Sequence, residues 1–266
     1  MKKIAFAILT ILICYSFVTI SDNLIRWKFD KFKKLTFKWE QVESTKSVLP
    51  IGNGDSTMKM FNRLEGKLIV KVKNKKFADI ILEDLKMSVY EVSSSGDTLM
   101  RMSQTVTEMF MQDLKEDGTI EGQLSPRWEM LAKIMFPIMN KDVKIGDTVD
   151  LPMTIPFDLL GSRINVKGNN RIKYLGNEEG LDKLETIINV SDYTIPDEVK
   201  IKYKCYMKGS SKFDFDSKKG YFTSGVVNFN MAFGTASSDS SKSMMNMTNM
   251  SMDMNTKIAL KLIAVE

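Results

Sequence analysis

The sequence predicts a mainly β protein, a curved antiparallel sheet or half-barrel with one amphipathic helix over about 125–136 packed on it. Two observations predict this class. Apolar residues recur at every second position in most of the chain after residue 30, the spacing of a strand with one buried face. Groups of Gly, Asn and Asp, such as 52–55, 96–97, 117–118, 168–170 and 219–220, separate the alternating runs as turns separate the strands of a meander.

The clearest alternating run covers residues 199–208. Its apolar positions are Val199, Ile201, Tyr203, Cys205 and Met207, and its polar positions are Lys200, Lys202, Lys204 and Lys208. This pattern is typical of a strand with one buried and one solvated face. We therefore expect Cys205 to be a buried structural thiol, with a reactive or intermolecular thiol as the alternative.

Further alternating runs lie at 37–39, 68–72, 184–190, 227–233 and 258–262. Between 80 and 89 the apolar phase slips by one residue around Glu83 and Asp84. A slip of one residue exchanges the two faces of a strand, so it predicts a β-bulge or a strand that changes faces at this point.

One segment has helical spacing. Its apolar residues fall at i, i+3, i+4, i+7 and i+8, and they are Trp128, Leu131, Ala132, Met135 and Phe136. Ser125 can cap the start, Pro126 suits the first helical position, and Pro137 ends the pattern. A helix this short needs the support of a sheet, so we expect it to lie on one.

Residues 22–266 are predicted to form a single β-rich domain. The hairpin sequences 115–122 and 217–225 resemble each other about 100 residues apart. One interpretation is that two related halves, about 26–124 and 140–266, are bridged by the helix. Chance similarity between two hairpins is the other interpretation.

The N-terminus resembles an export signal. Lys2 and Lys3 precede the uncharged stretch 4–20, and polar residues follow. Residues 1–21 are therefore predicted to be either a cleaved signal peptide or an uncleaved N-terminal membrane anchor. The bulky Ile13 disfavours lipidation of Cys14. We expect an exported protein of the periplasm or cell envelope.

Composition excludes several kinds of chemistry. The chain has no histidine, so Ser-His-Asp and Cys-His catalysis and histidine-ligated metals are excluded. The net charge of +5 is small and its lysines alternate with apolar residues, which does not favour nucleic acid as a partner. No phosphate-binding loop or nucleophile motif is present. We predict no catalytic residue, no cofactor and no enzymatic activity.

The order of several motifs is more specific than any one of them. Phe136-Pro137 precedes Val-Lys-Ile-Gly-Asp-Thr at 143–148, and Phe-Asp at 213–214 precedes Gly-Tyr-Phe-Thr-Ser at 220–224. Over residues 28–234 this order resembles an uncharacterised family of exported bacterial β-rich proteins. Members of that family carry Trp after Gly-Asp-Thr, where this chain has Val149. The resemblance implies an architecture like that of periplasmic lipoprotein-carrier half-barrels, and it implies no assigned activity.

Flexible apolar residues on many strands favour non-enzymatic binding of a lipid or another apolar ligand, with association with the envelope membrane as a further expectation. The side chains expected to line such a site lie on the helix and on two strands. They are Trp128, Leu131, Met135, Phe136, Met207, Phe229 and Met231.

The chain contains 20 methionines, and a cluster of them suggests an alternative function. The cluster is Met244, Met245, Met247, Met250, Met252 and Met254. Thioethers select Cu(I), so a methionine-rich Cu(I)-binding periplasmic protein is the first alternative. Met residues at two-residue spacing elsewhere instead indicate a general strand hydrophobe that lines a sheet. A structural envelope protein without a ligand is the remaining alternative.

Overall fold

The computed structural model describes residues 24–51, 54–93, 95–122, 124, 129–139, 141–159, 162–194, 202–236 and 250–266. The predicted signal or anchor segment 1–21, the site residue Trp128, and Met244, Met245 and Met247 lie outside the described residues. In the part of the chain that is described, no helix is long and apolar enough to cross a membrane.

The fold is one ten-stranded antiparallel sheet, which confirms the predicted mainly β class. Its strands are β1 (Lys34–Ile51), β2 (Gly54–Val72), β3 (Ala78–Val92), β4 (Thr98–Leu114), β5 (Thr148–Leu159), β6 (Ser162–Glu178), β7 (Leu181–Asp192), β8 (Lys202–Asp216), β9 (Tyr221–Ala236) and β10 (Ser251–Val265). They lie in the order β4-β3-β2-β1-β10-β9-β8-β7-β6-β5. Strands β4 and β5 are the edges, so the sheet is not closed into a barrel.

Every neighbouring pair in the sheet is consecutive in sequence except β1 and β10. These two strands pair from Leu35 opposite Val265 to Val48 opposite Ser251. The pairing joins β1–β4 to β5–β10 in one continuous sheet. Whether these two groups of strands are related by duplication remains a prediction.

One face of the sheet carries the hydrophobic core. Phe37 and Trp39 on β1 lie opposite Leu262 and Leu260 on β10, and the exposed Lys38 and Lys261 lie between them on the two strands. Trp39 also meets Phe110 of β4, with ring centroids 6.0 Å apart. Gly66 stands opposite Trp39 on the intervening strand β2, and a Cβ there would lie 2.8 Å from the Cα of Leu85 on β3. We call this side of the sheet the core face.

The N-terminal segment 24–33 packs on the core face together with the segment 129–139. Trp27 is fully buried, and its ring lies 5.4 Å from that of Phe136 and 5.3 Å from that of Phe222 on β9. Its backbone N–H donates to the carbonyl of Glu116 at 2.9 Å. An aromatic cluster therefore ties the start of the described chain to the segment after β4 and to the β8–β9 hairpin.

The helix in this segment differs from the prediction. Helix α1 (Glu129–Met135) has seven residues, and residues 125–128 of the predicted span are not described. Leu131 and Met135 are buried as the stripe predicts, but Ile134, which lies outside the stripe, is fully buried as well. The predicted amphipathic helix is therefore not supported. The buried Ile134 means that the described helix is not buried along the predicted stripe alone.

The predicted slip at Glu83 and Asp84 is confirmed. The pairing of β3 with β4 shifts register between Leu82 and Leu85, and Asp84 has a positive φ of 52°. The turn predicted at 168–170 is wrong, because these residues lie inside β6. Gly168 is required there for a different reason. A Cβ at this position would lie 2.1 Å from the carbonyl oxygen of Asn189 on β7.

Candidate functional site

The predicted lining residues are placed mainly in the packed core. Leu131, Met135, Phe136, Met207 and Phe229 all belong to the core cluster and are less than a tenth exposed, while Met231 is half-buried. The segment 129–139 therefore fills space on the core face where a ligand was expected. Contact between these side chains and a ligand remains a prediction.

A groove that the sequence did not predict lies on the opposite side of the sheet. It encloses about 700 Å³ and is bounded by strands β8, β9, β10, β1, β2 and β3. Most of its lining residues alternate with the core-facing ones. We call it the outer groove, and its outward-facing residues include Ser44, Lys46, Val48, Lys59, Phe61, Val92, Lys204, Tyr206, Ala232, Gly234, Ser251, Asp253 and Asn255.

The strand register explains why a groove forms here. One row across the sheet runs Lys59, Lys46, Asp253, Ala232, Tyr206, and each member lies opposite the next on the neighbouring strand. The next rows place short side chains on the central strands β1, β10 and β9, among them Ser44, Ser251 and Gly234. Larger side chains lie on the flanking strands β2 and β8, so they project further from the sheet than the side chains at the centre of the groove.

Aromatic side chains form the two sides of the outer groove. On one side, Phe61 of β2 packs against Tyr90 of β3 with ring centroids 6.1 Å apart. On the other side stands Tyr206 of β8. A second cavity of about 670 Å³ adjoins the groove and shares Ser44, Phe61 and Asn255 with it. The two form one continuous depression, and Phe61 lines both parts of it.

Lysines surround this depression. Lys46, Lys59 and Lys204 line the outer groove, and Lys208 and Lys257 line the adjoining cavity. The ammonium groups of Lys204 and Lys208 lie 5.4 and 5.7 Å from the ring centre of the same Tyr206, a cation–π arrangement.

Among the described lining residues of the two cavities, Asp253 is the only one with an acidic side chain. Its carboxylate accepts hydrogen bonds from the side-chain amides of Asn230 at 2.7 Å and Asn255 at 3.2 Å. Among the described residues, none of the five lysines has a carboxylate within ion-pair distance. The depression is therefore positively charged, with an apolar and aromatic wall.

The described methionines of the cluster lie on the core side. In β10, Met252 and Met254 are half-buried and alternate with the exposed Ser251 and Asp253, as the sheet-lining interpretation predicts. Met254 lies opposite Met231 on β9, which lies opposite Met207 on β8. Three thioethers thus occupy one row across three strands. No group of three or more Cys, Asp or Glu side chains is placed to hold a metal in the described part of the chain.

Cys205 is buried, as predicted, with 2% of its surface exposed. Burial raises the pKa of its thiol to about 11, because the thiolate would lose its hydration. In a Cys14→Ser protein, where Cys205 is the one remaining thiol, about a thousandth of it would be ionised at pH 8. We expect very slow reaction with a disulfide reagent such as DTNB in the native state and rapid reaction after unfolding. Equal rates in the two states would contradict a buried thiol.

Comparison with known proteins adds information on the fold. No protein-family model matches this sequence, and no curated protein matches it either. Membership of the exported bacterial family is therefore not confirmed, although the chain is β-rich as that resemblance implies.

Solved structures found by comparison with this chain include the following two. One, described as showing lipid–protein interactions in lipovitellin, has a TM-score of 0.50 at 12% identity and covers 88% of this chain and 25% of that one. The chain thus spans a quarter of the length of that protein, and the likeness at this identity concerns the fold alone. The other is the InvG secretin β-barrel of the Salmonella SPI-1 injectisome, with a TM-score of 0.17, 8% identity, and coverage of 88% and 64%. That score supports no structural relationship.

Proposed function

We propose that this protein binds a lipid without transforming it, as an exported protein of the cell envelope, and that the lipid lies in the outer groove. The observation that carries the proposal is the groove itself, about 700 Å³ with the aromatic side chains Phe61 and Tyr206 on its two sides. This volume is within the range of small-ligand sites and accommodates an acyl chain.

Two further observations support lipid as the ligand. The fold is similar to that of lipovitellin, whose structure concerns lipid–protein interactions. On the core face, the residues first expected to line the site are already packed against each other. A ligand held by this sheet therefore has more room on the outer side. The export part of the proposal depends on the sequence of residues 1–21.

Replacing Phe61 by Ser should weaken lipid binding by about tenfold or more, because burial of an aromatic ring contributes about 1.5–3 kcal/mol. Displacement of a fluorescent fatty acid from the purified protein measures the affinity. Val226→Ser is the matched control. Val226, like Phe61, is a partly exposed apolar residue, but it lies on β9 and outside both cavities. Thermal unfolding of each variant shows that the fold persists. Equal affinities for the two variants, or no binding by the unaltered protein, would contradict the proposal.

The Cu(I) alternative was predicted for the cluster between Met244 and Met254, and one structural observation favours a different site that shares only Met254 with it. That observation is the row of Met207, Met231 and Met254 on neighbouring strands. Directly opposed residues have Cβ atoms about 5 Å apart, which lets three flexible thioethers converge on one soft ion. Competition with a chromogenic Cu(I) chelator tests it. Tight binding that is lost when the three residues become Leu would establish the site, and failure to compete would eliminate it.

A further inference from the structure

We infer that the outer groove selects lipids with an anionic phosphate headgroup, and that Lys46, Lys59 and Lys204 provide this selectivity. The inference rests on the proposed function, because it names the class of lipid that the same groove binds. It also commits to a phospholipid rather than a free phosphate, since the charged and apolar parts of the site are continuous.

The first step concerns Lys46 and Lys59, which lie directly opposite each other on β1 and β2. Like charges in this position repel and destabilise a strand pair. Both side chains are exposed, and no carboxylate among the described residues lies within ion-pair distance of either. An anion bound between them would relieve the repulsion. Asp253 lies opposite Lys46 on the other side, so the row of Lys59, Lys46 and Asp253 keeps one uncompensated positive charge at the site where a headgroup would lie.

The second step concerns the other side of the groove. Lys204 and Lys208 both hold their ammonium groups near the ring of Tyr206, at 5.4 and 5.7 Å from its centre. This contact orients the two cations without neutralising them. Asp253 offsets at most one of these charges, because the described lining residues of the two cavities include five lysines and no other carboxylate.

The third step is the proximity of charge and apolar surface. Val48, Val92 and Phe61 line the same cavity as the three lysines. A free phosphate ion would use the lysines alone, whereas a phospholipid would contact both kinds of surface. Long lysine side chains can also lie along an apolar ligand while their charged ends reach its headgroup.

The test compares two soluble short-chain lipids, dihexanoylphosphatidylglycerol and dihexanoylphosphatidylcholine, by isothermal titration calorimetry at low salt. We expect the anionic lipid to bind about tenfold more tightly, because both lipids carry a phosphate but the choline cation of phosphatidylcholine cancels that charge and is repelled by the lysines. The triple variant Lys46→Gln, Lys59→Gln, Lys204→Gln should bind both lipids about equally. Added salt should reduce the preference of the unaltered protein.

The matched control is Lys71→Gln, Lys173→Gln, Lys261→Gln, which removes the same net charge from exposed lysines outside both cavities. This control should keep the preference for the anionic lipid. Equal binding of both lipids by the unaltered protein, or an equal loss of preference in the two triple variants, would overturn the inference while leaving lipid binding intact. Glycerol 3-phosphate binding as tightly as the anionic lipid would also overturn it. Binding of neither lipid would instead refute the proposed function.

Discussion

Trp27→Ala should lower the free energy of unfolding by about 3–5 kcal/mol, the range for removal of a large aromatic side chain from a core. Trp27 is fully buried, and its ring contacts Phe29, Phe32, Phe136 and Phe222. These residues come from the N-terminal segment, the segment after helix α1, and β9. Loss of the indole would leave a cavity among all three, which the surrounding rings cannot fill without separating from each other.

Urea unfolding followed by circular dichroism measures this loss. Trp27→Phe should cost less, because it keeps an aromatic ring in contact with the same neighbours. Ile145→Ala is the control for an apolar truncation at the surface, since Ile145 is 77% exposed. A loss below about 1 kcal/mol for Trp27→Ala would mean that the N-terminal segment does not contribute to the core.

Gly168→Ala should destabilise the protein by about 3 kcal/mol, at the upper end of the cost of overpacking. The added Cβ would lie 2.1 Å from the carbonyl oxygen of Asn189 and 2.4 Å from the Cα of Val190. Both are backbone atoms of β7, so relief requires that the two strands separate or change register. The pairing of β6 with β7 already shifts register at Gly168.

Gly234→Ala is the matched control for this effect. Gly234 also lies in a strand interior, but its added Cβ would approach no atom closer than 3.2 Å. The Gly234→Ala protein should lose much less stability than the Gly168→Ala protein, because the Cβ of Ser251 needs to move by only a few tenths of an ångström. Urea unfolding of both variants gives the comparison. Similar small changes in the two proteins would show that the close approach between β6 and β7 is absent in solution.

Alternation of apolar and polar residues was sufficient to predict much of the fold. It predicted the antiparallel strands and the burial of Cys205 and Met207, because period two directly reports which residues share a face. It failed at Gly168, because a glycine required by close backbone approach has the same sequence signal as a glycine in a turn. It also failed at α1, because an apolar stripe over a few residues does not show whether a residue outside the stripe, such as Ile134, is buried as well.

The outer groove could not be predicted from the sequence. Ser44, Ala232 and Gly234 are polar or small residues on the solvated faces of three strands, and each is unremarkable within its own strand. They form a low centre only because β1, β10 and β9 are neighbours in the sheet. The β1–β10 pairing joins segments that are more than 200 residues apart in the chain, and local patterns carry no information on such a pairing.

Photo-crosslinking tests the central claim most directly. A phosphatidylglycerol with a diazirine in its acyl chain, irradiated with the protein and followed by peptide mass spectrometry, reports where the chain lies. The proposal predicts adducts within 44–48, 59–61, 204–206, 232–234 and 251–255, the segments that line the outer groove. Excess unlabelled phosphatidylglycerol should suppress them. Adducts confined to other strands, or no specific adduct, would contradict lipid binding in this groove.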